Sequence, residues 1–369
     1  GGGTAAAASA AVATSASGGL TKLGTGLLNL AAINTYTGPT IVSNGVLRLA
    51  AGNETLTPAS AITLAGGTLD LGGATITNNR SVTLTGGRLV NGTLSAPAFV
   101  KTGAGAATLA VAPACVSDAA LHDSYVRTLN PLLWYDPSDA ATVTLDAAGR
   151  VTILLNKGTK AGMDTSINYV NGGVALSAPL LATGSLSYAA SGLPMIKIDA
   201  NNRGLASDDL VGITGSAART VVTVCTRDSE SDGAIVSFGA AENGQLFEIG
   251  DRHSSAVGGC FGSGNDLAMN PKNPVGTPNV YTVSVTGPKN LVAWRTGVAP
   301  SNATLTTTST LDTGASRFFI GQRPGVPNRA DFRGQIGEVL VFDRLLDENE
   351  RVELQRLLVK KWMSVPSGE

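Results

Sequence analysis

The pattern Ile62-Thr-Leu64-Ala-Gly66-Gly67-Thr-Leu69 returns 20 residues later as Val82-Thr-Leu84-Thr-Gly86-Gly87-Arg-Leu89, with a looser copy upstream at Ile41-Val-Ser-Asn-Gly45-Val-Leu47-Arg-Leu49. Each copy is an alternating strand, a glycine turn and a second alternating strand. A unit this short cannot enclose a core, so its apolar row must stack on the copies before and after it. The pattern therefore predicts a parallel β-solenoid, with glycine supplying positive φ at the corners. A longer repeat lies on top. Leu20-Thr-Lys22-Leu-Gly24-Thr-Gly26 recurs as Phe99-Val-Lys101-Thr-Gly103-Ala-Gly105, a shift of 79 residues or about four rungs. About five rungs at the ordinary inter-strand spacing make a stub roughly 20–25 Å long.

The repeat stops near residue 115, and the composition changes with it. Residues 1–115 hold seven charged side chains and two aromatics, Tyr36 and Phe99; the other aromatics, including all three Trp, and both His follow. The predicted organisation is an Ala/Gly/Ser-rich N-terminal segment over 1–17, a solenoid over 18–115, a linker over 116–130 and a second domain over 131–369. In the second domain, short alternating strands are expected at Met195–Ile198, Thr220–Thr226, Ala234–Phe238, Val280–Val285, Leu291–Trp294 and Phe318–Ile320. Turns rich in Gly, Asn and Pro separate them, the signature of an antiparallel sandwich. Asp347 and Glu350 form a capping-box start for one C-terminal helix, whose apolar stripe is Leu354, Leu357, Leu358 and Trp362. The fold class is thus all-β, a parallel β-solenoid followed by an antiparallel β-sandwich with a C-terminal helix.

Composition excludes several functions. Only 14% of residues are charged and the formal net charge is −1, so no long-range field steers nucleic acid or an anionic membrane. No apolar run reaches the roughly 18 residues of a membrane span. Residue 1 is Gly and no signal peptide is evident, which reads as a mature or trimmed product. Cys115, Cys225 and Cys260 have no metal-ligand spacing; Cys225 and Cys260 either pair or stay as buried thiols.

Catalytic chemistry is sparse. Jelly-roll glucanases place carboxylates on one strand face, flanking the bond they cut, whereas Glu338 and Asp343 fall on opposite faces of a regular strand. His122 and His253 stand apart and read as surface or linker residues. Gly24-x-Gly26 and Gly103-x-Gly105 lack the third glycine of a phosphate loop and read as solenoid corners. Asp199-Ala-Asn201-Asn202-Arg203-Gly204 begins like a Ca²⁺ loop, but Arg203 stands at a ligand position, so a turn is expected and no cofactor is assigned. Loop carboxylates such as Asp208 or Asp209 are the remaining Ca²⁺ option. Glycan recognition needs an aromatic platform beside amide, carboxylate or Arg groups. Its candidates are Asn265 and Asp266 in one polar loop, Arg323 and Asn328 in another, and Trp294, with core packing of Trp134, Trp294 and Trp362 as the competing reading.

Two resemblances attach to these residues. Gly19-Leu-Thr-Lys22-Leu-Gly24-Thr-Gly26 with Asn34-Thr-Tyr36-Thr-Gly38-Pro-Thr40 and Asn44-Gly45-Val-Leu47 resembles the autotransporter-associated β-strand repeat. That family implies a right-handed parallel β-helix of exported bacterial passenger domains, hence an extracellular or cell-surface location. Leu133-Trp134-Tyr135-Asp136, Leu193-Pro-Met-Ile-Lys-Ile-Asp199 and the closing Phe332–Arg344 stretch resemble the LamG-like, concanavalin A-like jelly roll of bacterial surface proteins. Leu154-Leu155-Asn156-Lys157-Gly158 departs from that family's Trp-containing run. The expected function is a non-catalytic extracellular structural or adhesive subunit that associates with copies of itself, head to tail, through residues 1–17 and the solenoid ends. The alternative is a lectin-like binder of polysaccharide.

Overall fold

The computed structural model describes residues 8–9, 18–49, 56, 60–115, 118–184, 187–229, 233–251, 258–260, 274–296, 310–326 and 332–363. The chain forms two compact units, Gly1–Thr128 with Asn349–Leu357, and Leu129–Glu348 with Leu358–Glu369.

The first unit is a parallel β-solenoid. One face stacks Leu20–Lys22, Thr40–Val42, the starts of Ile62–Asp70 and Val82–Ala96, and Phe99–Lys101. A second stacks Leu27–Leu30, Val46–Leu49, the ends of the same two long segments, and Ala107–Cys115. A shorter third face joins Thr75–Thr77 to the long strand Val82–Ala96. The repeat expected from sequence is the observed register: Ile62 lies opposite Val82, Leu64 opposite Leu84 and Leu69 opposite Leu89. Leu20 and Phe99 occupy the same face, four steps apart. Leu47, Leu69 and Leu89 stack in one inward row and Leu30 and Leu49 in a second, all sealed from solvent, which is the continuous core that a single rung cannot make.

The corners show why the longer repeat carries lysine. Lys22 Nζ donates to the Gly24 carbonyl and to Asn44 O at 3.3 Å; four rungs on, Lys101 Nζ donates to Thr102 O at 2.9 Å and Gly103 O at 2.7 Å. Each ammonium gathers carbonyls that point out of the ladder at the bend, where backbone acceptors need partners. Gly45 sits on this corner with φ +64°, and a Cβ there would lie 2.3 Å from Gly24 O. The two Gly-x-Gly stretches are therefore corners, as expected.

Within residues 1–17, Ala8–Ser9 pairs in parallel with Leu28–Asn29. Within residues 116–130, the expected linker, Asp118–Leu129 forms helix α1. His122, Tyr125, Val126 and Leu129 are all buried, at i, i+3, i+4 and i+7, so His122 is not the surface or linker residue anticipated. The stripe was readable, but a polar His at its first position disguised an apolar face.

The second unit is an antiparallel sandwich. One sheet runs Leu180–Ala182, Met195–Ile198, Gly334–Phe342, Arg219–Arg227, Asn279–Gly287, Asn290–Arg295, with Leu133–Tyr135 also on Gly334–Phe342. The other runs Val143–Leu145, Val151–Leu154, Thr165–Ser166, Leu205–Leu210, Arg317–Ile320, Gly233–Gly239, Leu246–Asp251, Gly258–Cys260. Tyr135, Val221, Phe238, Phe247, Val283, Phe318 and Ile336 belong to one buried core. Each expected strand is present within a residue or two. Helix α2, Glu348–Met363, buries Leu354, Leu357, Leu358 and Trp362, the stripe read from sequence.

Candidate functional site

The most concentrated chemistry lies inside the second unit, where three chain segments converge. Asp136 follows the strand Leu133–Tyr135, Glu338 is in the middle of Gly334–Phe342, and Lys361 is in the last turn of α2. Lys361 Nζ donates to Asp136 Oδ2 at 2.7 Å and to Glu338 Oε2 at 2.9 Å. The indoles also donate to Glu338: Trp134 Nε1 to Oε1 at 2.6 Å and Trp362 Nε1 to Oε2 at 3.1 Å. Asp136 Oδ1 accepts from Ser138 N at 3.0 Å and Ser138 Oγ at 2.6 Å. Lys157 Nζ stands 3.5 Å from Asp136 Oδ2 and 2.9 Å from Asp139 Oδ2, 4.1 Å from the Trp134 ring centroid.

Electrostatics follow from this packing. Burial alone would raise the Asp136 pKa, but the Lys361 charge and hydrogen bond, with Ser138 and Lys157, hold it below the ordinary carboxylate value. Burial would lower the Lys361 pKa, yet Glu338 and Asp136 lift it above that of a free lysine. Glu338 is 1% exposed, so no glycosidic bond can reach it. Asn156, next to Lys157 in the run that departs from the jelly-roll family, also has a role. Its Oδ1 accepts from Trp134 N at 2.8 Å and Gly158 N at 2.9 Å, which holds the loop against the strand carrying Trp134.

A second cluster contains one of the residues predicted for glycan binding. Arg323 Nε and Nη2 donate to Glu248 Oε2 and Oε1 at 2.7 and 2.8 Å, and Glu248 is buried. Asn171 clamps the same loop, donating from Nδ2 to Arg323 O at 2.8 Å and accepting Gly325 N at 2.7 Å. Trp294, on Asn290–Arg295, is half-buried, unlike Trp134 and Trp362, which are in the core. Arg323 and Trp294 are on separate sheets' elements, and Asn265, Asp266 and Asn328 lie outside the described residues. Cys260's side chain and His253 also lie outside them, so the Cys225–Cys260 pairing does too; Cys225 is buried.

The stretch that begins like a Ca²⁺ loop is a turn: Asn202 has φ +58°, and Asp199 faces Arg150 at 3.3 Å and Arg203 at 3.5 Å. Asp208 accepts from Ser166 Oγ at 3.2 Å. Among the described residues no group of three or more His, Cys, Asp or Glu is placed to hold a metal ion. No helix among them is long and apolar enough to cross a membrane.

Comparison with known proteins adds one sequence match. Residues 20–49 match the family model of the Passenger-associated-transport-repeat, and these residues are the first rungs of the solenoid. No curated protein matches the chain. Among solved structures it is similar to Trypanosoma rangeli sialidase, with 12% identity over 63% of this chain and 33% of that one, and a TM-score of 0.39. It is also similar to domain 4 of AbnA, an extracellular arabinanase from Geobacillus stearothermophilus, in complex with arabinotriose (14% identity, 61% and 98% covered, TM-score 0.41). A third is an arabinofuranosidase complexed with arabinofuranosyl-alpha-1,2-xylobiose (11% identity, 65% and 61% covered, TM-score 0.44). The chain spans about a third of the sialidase's length, 33%. Likenesses this distant carry no functional argument.

Proposed function

We propose that the chain is a non-catalytic structural module of a bacterial extracellular or cell-surface protein, which joins copies of itself through the ends of its solenoid. The observation that carries this reading is the state of those ends. Leu20–Lys22 pairs only with Thr40–Val42, and Phe99–Lys101 only with Val82–Leu84, among the described residues, while Ala8–Ser9 covers the next strand of the first rung at Leu28–Asn29. Around the first rung Leu23 is 67%, Leu27 42% and Ile33 60% exposed; at the last, Val100 is 42% exposed. A solenoid that ends on an unpaired strand and bare apolar side chains presents a template for another chain. The location rests on the transport-repeat match at residues 20–49.

Magnitudes decide what such a joint needs. Covering three apolar side chains gives about 1.5–3 kcal/mol each, against an association cost of about 4–15 kcal/mol. Apolar stacking alone is marginal, so strand pairing between ends must contribute. A repeating contact that does not close propagates as a fibre. The test is sedimentation of the intact chain, of Leu23→Lys/Leu27→Lys, and of a chain lacking residues 1–17. The expected result is assembly that the two lysines abolish. An intact protein that is monomeric at tens of micromolar overturns the reading.

Glycan binding is the second reading, supported by Trp294, half-buried on the edge strand of its sheet. A glycan array run with and without Ca²⁺ tests it, and silence in both conditions removes it.

A further inference from the structure

We propose that Lys361 and Asp136 condense into an intramolecular amide, with Glu338 relaying the protons. Lys361 is already in contact with both carboxylates: Nζ is 2.7 Å from Asp136 Oδ2 and 2.9 Å from Glu338 Oε2. Their side chains are 3%, 2% and 0% exposed, so the amine and the carboxyl are held together and away from solvent. Positioning of this kind replaces an encounter in solution with a step inside one molecule. A dry site also withholds the water that would hydrolyse the product.

The step balances without an added reagent. The Lys361 ammonium passes one proton to Glu338, which delivers it to Asp136 Oδ2 and makes that carboxyl an electrophile. The freed Nζ lone pair attacks Asp136 Cγ and forms the N–C bond. Negative charge then gathers on Oδ1, where the Ser138 N–H at 3.0 Å and the Ser138 Oγ–H at 2.6 Å already point. Two donors so aimed are the arrangement that stabilises an oxyanion. Glu338 carries a second proton from nitrogen to Oδ2, the C–Oδ2 bond breaks, and one water leaves. An ammonium and a carboxylate become an amide and water, and Glu338 ends ionised, as it began.

The resting cluster favours the ion pair, since Lys361 holds Asp136 ionised and the two carboxylates hold Lys361 protonated, so the first proton transfer is the uphill part of the step. Trp134 Nε1 at 2.6 Å and Trp362 Nε1 at 3.1 Å orient the Glu338 carboxylate beside the ammonium. Condensation consumes one positive and one negative charge, and a buried carboxylate left without a cation is costly. The carboxylate that remains is Glu338, which keeps the two indole donors of Trp134 and Trp362. The bond would join residues 225 apart in the chain, tying the strand Leu133–Tyr135 to α2. In an extracellular load-bearing module such a bond survives forces that part an ion pair.

Intact mass spectrometry of the purified chain in denaturant tests this directly. The expected mass is one water below that of the sequence, with a branched tryptic peptide joining the segments around Asp136 and Lys361. A full mass, with the two peptides recovered separately, overturns the proposal. So does loss of water without the branched peptide, which would report a local dehydration of an aspartate. Glu338→Gln is expected to carry the full mass; a branched peptide in that variant overturns the role of Glu338. Because the wild-type measurement needs no substitution, a variant that fails to fold does not obscure the result.

Discussion

The Arg323 guanidinium meets the Glu248 carboxylate in two hydrogen bonds, Nε to Oε2 at 2.7 Å and Nη2 to Oε1 at 2.8 Å, with Glu248 wholly enclosed. A bidentate pair of this geometry recognises a carboxylate of the protein itself. Removing one partner strands a buried charge, so Arg323→Ala is expected to lower stability by about 3–5 kcal/mol. A shift of the denaturation midpoint at unchanged m-value checks it. If Arg323 instead served a glycan, the variant would keep its midpoint and lose binding.

Asp228 should show its burial in the pH dependence of stability. Burial raises its pKa above the ordinary carboxylate value, with Lys197 opposing from 3.5 Å. The folded-state pKa lies above the unfolded one, near 3.8, so this group's contribution is full below the unfolded value. It is lost as pH rises through the folded value. At neutral pH the ionised carboxylate therefore sits at a cost, and Asp228→Asn is expected to raise Tm there, with the gain shrinking toward acid. Thermal melts of both proteins from pH 3 to pH 8 measure the difference; a constant gap across that range contradicts it.

Gly45 and Gly73 separate backbone strain from a clash. Both have positive φ, +64° and +85°, but a Cβ at Gly45 meets Gly24 O at 2.3 Å, whereas Gly73 faces open space. Gly73→Ala is expected to cost about 1–3 kcal/mol for the left-handed conformation alone. Gly45→Ala should cost more, because the rung below must move. Comparing the two denaturation midpoints tests the ranking, and equal losses would refute it.

Glu338 predicts an absence of turnover. Its carboxylate is held by two indoles and an ammonium and is 1% exposed. No hydrolysis of β-glucans, galactans or host glycans is expected above a buffer control. Activity that disappears in Glu338→Gln would show that the enclosure opens.

Much of the solenoid was legible because its information is local. Within one rung, Leu64 and Leu69 already declare which side faces inward, and the copy at Leu84 and Leu89 declares the register, since identical patterns stack best in phase. The same holds for α2, whose stripe of Leu354, Leu357, Leu358 and Trp362 is a property of one helix. Helix α1 was less legible because its face begins with His122, a residue whose burial depends on what packs over it. Residue type and loop polarity point to the glycan candidates, and neither discloses that Arg323 faces a buried glutamate.

From the sequence alone came the repeat, its rung length, the place where the composition changes, and most strands of the sandwich. Each follows from periodicity, which fixes the side a residue faces and not which residue it meets. Tertiary structure alone decided that Asp136 and Lys361, 225 residues apart, share a hydrogen bond, and that Glu338 lies between two indoles. Those partnerships are set by how strands order in a sheet and where a helix docks, and neither leaves a local mark on the residues involved. Burial then converts them from surface charges into a closed reactive cluster, because a desolvated ion must find its partner inside the protein.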